Sequence, residues 1–366
     1  MRLLAAILGL VVILTILWDA FETIILPRRV TLRIRLTSLF YRSVGMPWFF
    51  LAKRIKKNKR RESFLGLFGP LSVLMLLAMW TVGLIFGYAA ILWATVAKLN
   101  TPEIKAGFES YLYLSGVTFF TLGYGDVTAL SPLGRTIEVI EAANGLGLLA
   151  IVIGYLPVLY QSFSRREVNI SLLDARAGSP SSATELLRRY GASGNIGEIS
   201  ALLHEWENWS AELLESHVSY PALCYFRSQH DNQSWLGALT TVLDTCALVI
   251  AGVDDVPVWQ AQLTFAIARH AVVDIAQIFR TKPTSASCCT TRLPPEELQR
   301  VREILAKSGT PLSDGDAAEK RLLELRVLYE PYVVALSEFL LMPLPPWILP
   351  ADAIDNWKTS AWGRIQ

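Results

Sequence analysis

Residues 107–135 read GFESYLYLSGVTFFTLGYGDVTALSPLGR, and the rest of the chain is understood outward from this stretch. Phe108 to Phe120 is largely apolar, too short to cross a bilayer and long enough for about three helical turns. Gly123 and Gly125 then alternate with larger residues, so a backbone of alternating hand is sterically allowed there. Such a backbone can turn successive carbonyl oxygens toward one axis. A row of carbonyls replacing a hydration shell is what cation dehydration requires.

On either side lie apolar runs of membrane length. Phe64 to Ala97 contains 34 residues without Asp, Glu, Lys or Arg, and Gly69-Pro70 offers a helix start within it. Ala142 to Phe163 is uncharged, follows Glu138 and Glu141, and stops at Arg165-Arg166. A further run, LLAAILGLVVILTILW at 3–18, extends to Leu26 if Asp19 and Glu22 are tolerated. It reads as a retained helix rather than a signal peptide, because Trp18, Asp19 and Phe21 stand where a small-residue cleavage site belongs.

Between the first two spans, Arg28, Arg29, Arg33, Arg35, Arg42, Lys53, Arg54, Lys56, Lys57, Lys59, Arg60 and Arg61 occur without an acidic residue from Pro27 to Arg61. The positive-inside rule puts this segment in the cytoplasm, Lys98 to Arg135 and the N-terminus outside, and everything after Arg165 inside. Leu32, Leu36, Leu39 and Phe40 share one helical face ringed by Arg33, Arg35 and Arg42. Both a helix in the headgroup layer and a solvated basic linker fit that pattern. No regular arginine ladder interrupts an apolar span, so a voltage sensor is not supported.

With the filter-like string between two spans, the chain resembles the potassium-channel family, closest to bacterial channels with two pore-forming helices per subunit. The family signature TVGYG stands here as Thr121-Leu122-Gly123-Tyr124-Gly125, followed by Asp126, and Pro132-Leu133-Gly134-Arg135 resembles the opening of the family's inner helix. The resemblance covers Pro70 to Phe163. It implies that K⁺ is coordinated by the main-chain oxygens of Thr121, Leu122, Gly123 and Tyr124, with the Thr121 hydroxyl closing the inner end and Asp126 supporting the outer mouth. It also implies a homotetramer, since one filter segment cannot enclose an axis, with four pore-helix C-termini favouring a cation in a central cavity. Departures are Phe120-Thr121 for Thr-Thr, Tyr113-Leu114 for a paired Trp, and Val117 where some relatives place Glu.

Glu138, Glu141 and Asn144 recur at three-residue spacing and lie on one side of the inner helix. Either a glutamate hydrogen-bonds behind the filter, supporting it as Val117 cannot, or both sit at the outer interface near Arg135. Asn144 is expected to face the cavity. Gly145, Gly147 and Gly154 are expected hinge points, or close-packing residues, and Pro157 removes the backbone bond to Ile153.

Overall the 366 residues are 52% hydrophobic and 18% charged, which excludes disorder and a cationic nucleic-acid arm. Up to Arg166 there are 18 basic and 8 acidic residues, and after it 16 and 24, so a +10 half joins a −8 half. The second half has helical periodicity over 183–190, 196–216, 235–251, 258–281, 295–308 and 317–341, with breaks at 178–182, 282–295 and 308–316. Leu236 to Val253 is apolar enough for a fourth span, but Asp244 at its centre favours a buried soluble helix. Trp206, Trp209 and Leu213 form a stripe expected to pack in a core. His204, His217, His230 and His270 lack metal-ligand spacing, Gly191-ASG-NIG lacks dinucleotide-site spacing, and Cys224, Cys246, Cys288 and Cys289 read as reduced thiols.

The expected architecture is an all-α membrane protein: an N-terminal transmembrane helix (1–27), a basic linker (28–63), a pore domain (64–166) and an all-helical cytoplasmic domain (167–366). Within the pore domain the outer helix covers about 70–97, the pore helix about 108–120, the filter 121–126 and the inner helix about 135–163. The expected function is passive K⁺ conduction in the plasma membrane, a bacterial inner membrane, with no cofactor and no covalent chemistry. Expected partners are the lipid bilayer, three copies of the same chain and an unknown cytoplasmic ligand or protein, but no nucleic acid. The competing readings are a signalling or enzymatic module tethered to a K⁺-sensing pore, and a weakly selective cation channel.

Overall fold

The computed structural model describes residues 1–26, 35–56, 58–95, 99–101, 106–230, 232–253 and 256–350. Arg28, Arg29, Leu32, Arg33, Lys57 and Lys98, which enter the topology reading, lie outside these residues. The chain divides into two compact units, one of residues 1–56 and 67–161, the other of 57–66 and 162–366. The first contains α1 (Arg2–Ala20), a π-helical turn (Phe21–Ile25), α2 (Leu36–Arg54), most of α3 (Asn58–Thr95), β1 (Leu99–Asn100), α4 (Phe108–Phe119), β2 (Thr128–Ala129) and the first part of α5 (Pro132–Ala177). The short strands pair antiparallel, Leu99 opposite Ala129 and Asn100 opposite Thr128.

Helices α1 and α3 pack through glycine. A Cβ on Gly9 would meet the Gly87 carbonyl at 2.5 Å, and one on Gly87 would meet Ile13 at 2.8 Å, so any larger residue forces the helices apart. Around this contact Ile13, Ile16, Leu76, Trp80, Leu84 and Tyr88 form a core that Phe40 joins from α2. Phe40 thus points into protein while Leu39 stays exposed, dividing the face expected to lie in headgroups. The carboxylate of Asp19 is buried in the same core. It accepts hydrogen bonds from Trp80 Nε1 (3.0 Å), the Thr37 amide (3.1 Å) and the Thr37 hydroxyl (2.6 Å), tying three helices together. Glu22 is held by Trp18 Nε1 at 2.9 Å and by Arg35 at 3.4 Å. Two acidic residues in an apolar run are accommodated because each has its donors nearby.

Both long helices outrun their apolar stretches. α3 begins at Asn58 and takes Pro70 into its interior, where the ring costs the bond to the Gly66 carbonyl without ending the helix. Helix-favouring Lys59, Arg60, Arg61 and Glu62 extend it toward the N-terminus. α5, 46 residues long, runs through Pro157 and Arg165-Arg166 and ends at Gly178, whose φ is +85°. At 1.5 Å per residue it measures about 69 Å, over twice a hydrocarbon core of about 30 Å.

The second unit is built from the remainder of α3 and α5 with α6 (Ala183–Ala192), α7 (Ile199–Ser219), α8 (Trp235–Gly252), α9 (Val258–Ile278), α10 (Ser287–Arg292), α11 (Pro295–Lys307), α12 (Asp316–Val327) and α13 (Glu330–Leu340). Among the described residues four helical segments are long and apolar enough to cross a membrane: α1 with its π turn, α3, α5 and α8. In α8, however, 15 of 18 residues are buried within the unit, so its apolar surface is covered by protein on all sides. Asp244 at its centre pairs with Arg292 and the Tyr329 hydroxyl, and Glu330 completes the network with Arg292 (2.8 Å) and Arg326 (3.0 Å). Trp206, Trp209 and Leu213 of α7 are buried, the two indoles 5.0 Å apart. The helix expected over 317–341 is two helices, because Pro331 cannot donate to Val327 and instead opens α13. α10 lies within the expected break at 282–295.

Arg166, read from sequence as part of a stop signal, is buried. Its guanidinium donates to the carbonyls of Leu223 (3.0 Å) and Phe226 (2.9 Å), pairs with Glu167 (2.9 Å) and lies 3.2 Å from His217 Nε2. Since arginine has nothing to accept with, Nε2 is the acceptor, and Nδ1 carries the proton donated to the Leu213 carbonyl at 2.8 Å. Burial first, and the Arg166 charge second, hold the His217 pKa well below its ordinary value.

Two outcomes are expected. Asp19→Ala strands the Trp80 and Thr37 donors at a cost of about 1–3 kcal/mol each, so thermal denaturation in detergent moves to lower temperature, and Asp19→Asn, which keeps an acceptor oxygen, loses less. The unfolded chain protonates His217 more readily than the folded one. The contribution of His217 is therefore full above about pH 6.5 and falls away below it. The midpoint of denaturation drops between pH 7.5 and pH 5, with a shallower slope in His217→Gln.

Candidate functional site

The strand Thr121–Gly125 begins at the C-terminal end of α4. The Phe120 and Thr121 amides close the helix on the Gly116 and Thr118 carbonyls, and the Leu122 amide reaches back to Val117 at 2.9 Å. Thr121, Gly123 and Gly125 have φ of +55°, +60° and +77°, so every second residue from Thr121 to Gly125 is left-handed. For a β-branched threonine this conformation is a genuine outlier, and such strain persists only where surrounding structure imposes it. Residues 120–126 are exposed in the single chain, Tyr124 to 68% and Leu122 to 53%.

Three contacts fix the C-terminal end of this strand. Tyr113 of α4 donates from its hydroxyl to Asp126 Oδ2 at 2.9 Å, tying the C-terminal end of the strand to the helix before it. Glu138 accepts from the Ala129 amide at 3.1 Å, while Arg135 donates to the Ala129 carbonyl at 3.3 Å, so the first turns of α5 grip β2 from both sides. Arg135 is therefore directed to the strand and not to a glutamate. Glu141 is fully buried behind α4, hydrogen-bonded to the Ser115 hydroxyl, which also contacts the Ile85 carbonyl of α3 at 2.8 Å.

The inner-helix residues divide. Asn144, expected to face a cavity, instead donates to the Tyr88 hydroxyl of α3. The three-residue spacing that puts it in line with Glu141 also turns it toward the packed face. Gly145, read as a hinge or a close-packing residue, is a contact point: a Cβ there would lie 2.0 Å from the Phe119 carbonyl. Gly147 and Gly154 have open space beside them, and α5 is continuous through both and through Pro157.

One group among the described residues could hold a metal, Cys288, Cys289 and Glu330, whose ligand atoms lie within 4.8 Å of one another. Glu330 is already engaged by two guanidiniums. Burial first, and the neighbouring Glu330 carboxylate second, push the Cys289 thiol up. All four cysteines are free.

An apolar pair of long helices, a short helix between them and a left-handed-alternating strand after it follow one another in this segment. Residues 71–161 match the family described as ion channel, and the chain belongs to that family through this segment. It is similar to the uncharacterized membrane protein YdjJ of Bacillus subtilis, 21% identical over 271 residues, which cover 72% of this chain and 77% of YdjJ. Protein LctB of Geobacillus stearothermophilus is 33% identical over 93 residues, and LctB of Bacillus caldotenax 32% over 95, each match covering 23% of this chain and 69% of the relative. No solved structure matches. The chain is a multi-pass membrane protein.

Ser115, Tyr88 and Tyr113 were not singled out by the sequence reading as partners of the site. The available signal was that carboxylates and amides in apolar helices require donors within reach, and hydroxyls on neighbouring helices supply them. Gly145→Ala is expected to displace the Phe119 carbonyl and with it the start of the strand, reducing ion flux in liposomes at least about tenfold, whereas Gly147→Ala leaves flux close to wild type.

Proposed function

We propose that the protein is a potassium-selective channel in which four copies of the chain surround one axis, each contributing the strand Thr121–Gly125. The observation that carries this reading is the left-handed backbone at alternate residues of TLGYG. Alternation of hand is the conformation that lets consecutive carbonyls face one side, and rings of such carbonyls replace the hydration shell of K⁺. The main-chain oxygens of Thr121, Leu122, Gly123 and Tyr124 are the proposed ligands, with Asp126, Glu138 and Glu141 as supports. The exposed, largely apolar surface of residues 120–126 favours neighbouring subunits as its cover.

In this reading residues 1–26, 64–95 and 135–163 cross the membrane, α4 re-enters from outside, and the basic segment and residues after Arg165 are cytoplasmic. The membrane is a bacterial inner membrane. Conduction is passive, and no side chain performs covalent chemistry. The unbroken course of α5 supports a gating route: a pull on the helix at Arg166, whose guanidinium is held by the Leu223 and Phe226 carbonyls and by Glu167, is carried along its backbone.

The test is the reversal potential of the purified protein in liposomes under opposed K⁺ and Na⁺ gradients. A value near the K⁺ equilibrium potential is expected, with current lost in Gly125→Ala, where a left-handed φ becomes strained. A value near zero contradicts potassium selectivity and leaves a general cation pore. Absence of current from protein that is folded and reconstituted means a gate closed for want of its ligand or the tethered-module reading, and Tyr124 and Gly125 substitutions with no phenotype single out the latter.

A further inference from the structure

Helix α2 gives one side to protein and leaves the other uncovered among the described residues. Phe40, Gly45 and Ala52 are buried, and the rings of Tyr41, Trp48 and Phe49 lie 6.5, 5.7 and 5.2 Å from that of Phe68 on α3. On the other side Leu39, Met46, Phe50 and Leu51 are each more than half exposed. At about 100° per residue, Leu39, Met46 and Phe50 fall within about 40° of one another, so they form one strip along the helix. From Leu39 to Phe50 the strip is about 17 Å long, close to the roughly 15 Å hydrocarbon depth of one leaflet.

The charges on this helix are all of one sign. Residues 35–56 contain five basic residues, Arg35, Arg42, Lys53, Arg54 and Lys56, and no acidic one. Arg35 is engaged by Glu22 and Thr23. The other four are exposed, and none has an ion-pair partner among the described residues. Lys53, Arg54 and Lys56 follow the C-terminal end of the strip, and the Arg54 guanidinium lies over the Phe50 ring at 4.5 Å, which keeps a cation beside the last residues of the apolar strip. Arg42 stands further along the same exposed side. The complement must therefore be apolar along its length and anionic at one end. A second copy of α2 brings like charges together, a free phosphate leaves the strip bare, and a zwitterionic lipid leaves the cations without a net counter-charge.

We infer that the exposed side of α2 binds an anionic phospholipid, its acyl chains along Leu39, Met46, Phe50 and Leu51 and its phosphate at Lys53, Arg54 and Lys56. Arg42 adds positive potential along the strip. The site lies outside residues 71–161, the segment matched to the ion-channel family. It rests on the chain being a membrane protein and not on the potassium-channel reading.

Fluorescence anisotropy on the full-length protein in a neutral detergent, with fluorescent phosphatidylglycerol and phosphatidylcholine of the same acyl chains, tests the inference. Phosphatidylglycerol is expected to bind at least about tenfold more tightly at about 0.1 M salt, with a smaller preference at about 0.5 M. The combined variant Lys53→Gln, Arg54→Gln, Lys56→Gln brings the preference below about threefold. Met46→Ser with Phe50→Ser weakens both lipids and leaves their ratio unchanged. Glycerol phosphate, a head without chains, is expected not to displace the lipid. If the combined variant does not elute as the wild type does, Lys53→Gln alone carries the test. Equal affinity for the two lipids, or a preference that survives loss of the cations in folded protein, overturns the site. Displacement of the bound lipid by glycerol phosphate reduces it to a phosphate site, and displacement by equimolar oligoglutamate assigns the face to an acidic protein segment. Either result overturns the lipid as occupant.

Discussion

The contact on which the first unit depends is the seat of the Phe119 carbonyl against the bare backbone of Gly145. Because no side chain intervenes, the end of α4 comes within backbone distance of α5, and the strand beginning at Thr121 starts from a fixed point. Ser115 and Glu141 make a second bond between the same helices one turn back, and Asn144 with Tyr88 fastens α5 to α3. Beyond the strand, Glu138 and Arg135 hold Ala129 by its amide and carbonyl. The alternating, strained backbone from Thr121 to Gly125 is thus held at both ends by the first four turns of one helix. A strained conformation needs that kind of over-determination to persist.

The same economy of polar contacts recurs elsewhere. Asp19 is buried in apolar surroundings but accepts three hydrogen bonds, and it joins α1, α2 and α3. In the second unit Asp244, Arg292, Tyr329, Glu330 and Arg326 form one connected network around the middle of an otherwise uncharged helix, α8. In each case a charge that would be costly alone is matched by donors from other elements, so it specifies which helices meet.

Much of this was legible in the sequence, and the failures have physical reasons. The apolar runs, the glycine alternation at 123 and 125 and most helices of residues 183–307 follow from periodicity and local sterics. Helix ends were less legible, because an apolar window stops at the first charges while the backbone does not: Lys, Arg and Glu carry α3 back to Asn58 and α5 on to Ala177. Pro70 was read as a start because a proline at N1 and one inside a helix look alike in sequence. The partner of Asn144 was hidden for a different reason. Three-residue spacing shows that Glu138, Glu141 and Asn144 share a face, but only the neighbouring helices decide which way that face points. The pairing of Asp244 with Arg292 and Tyr329, 48 and 85 residues away, has no local signature at all.

The central claim is that the strand Thr121–Gly125 is one quarter of a potassium site. Electron cryo-microscopy of the full-length protein in lipid nanodiscs, once in K⁺ and once in Na⁺, tests it most directly. The account predicts four chains about one axis, with axial density between the carbonyl rings of Thr121 to Tyr124 that is present in K⁺ and altered or lost in Na⁺. A particle in which these strands face lipid, or meet without axial density in K⁺, would contradict it.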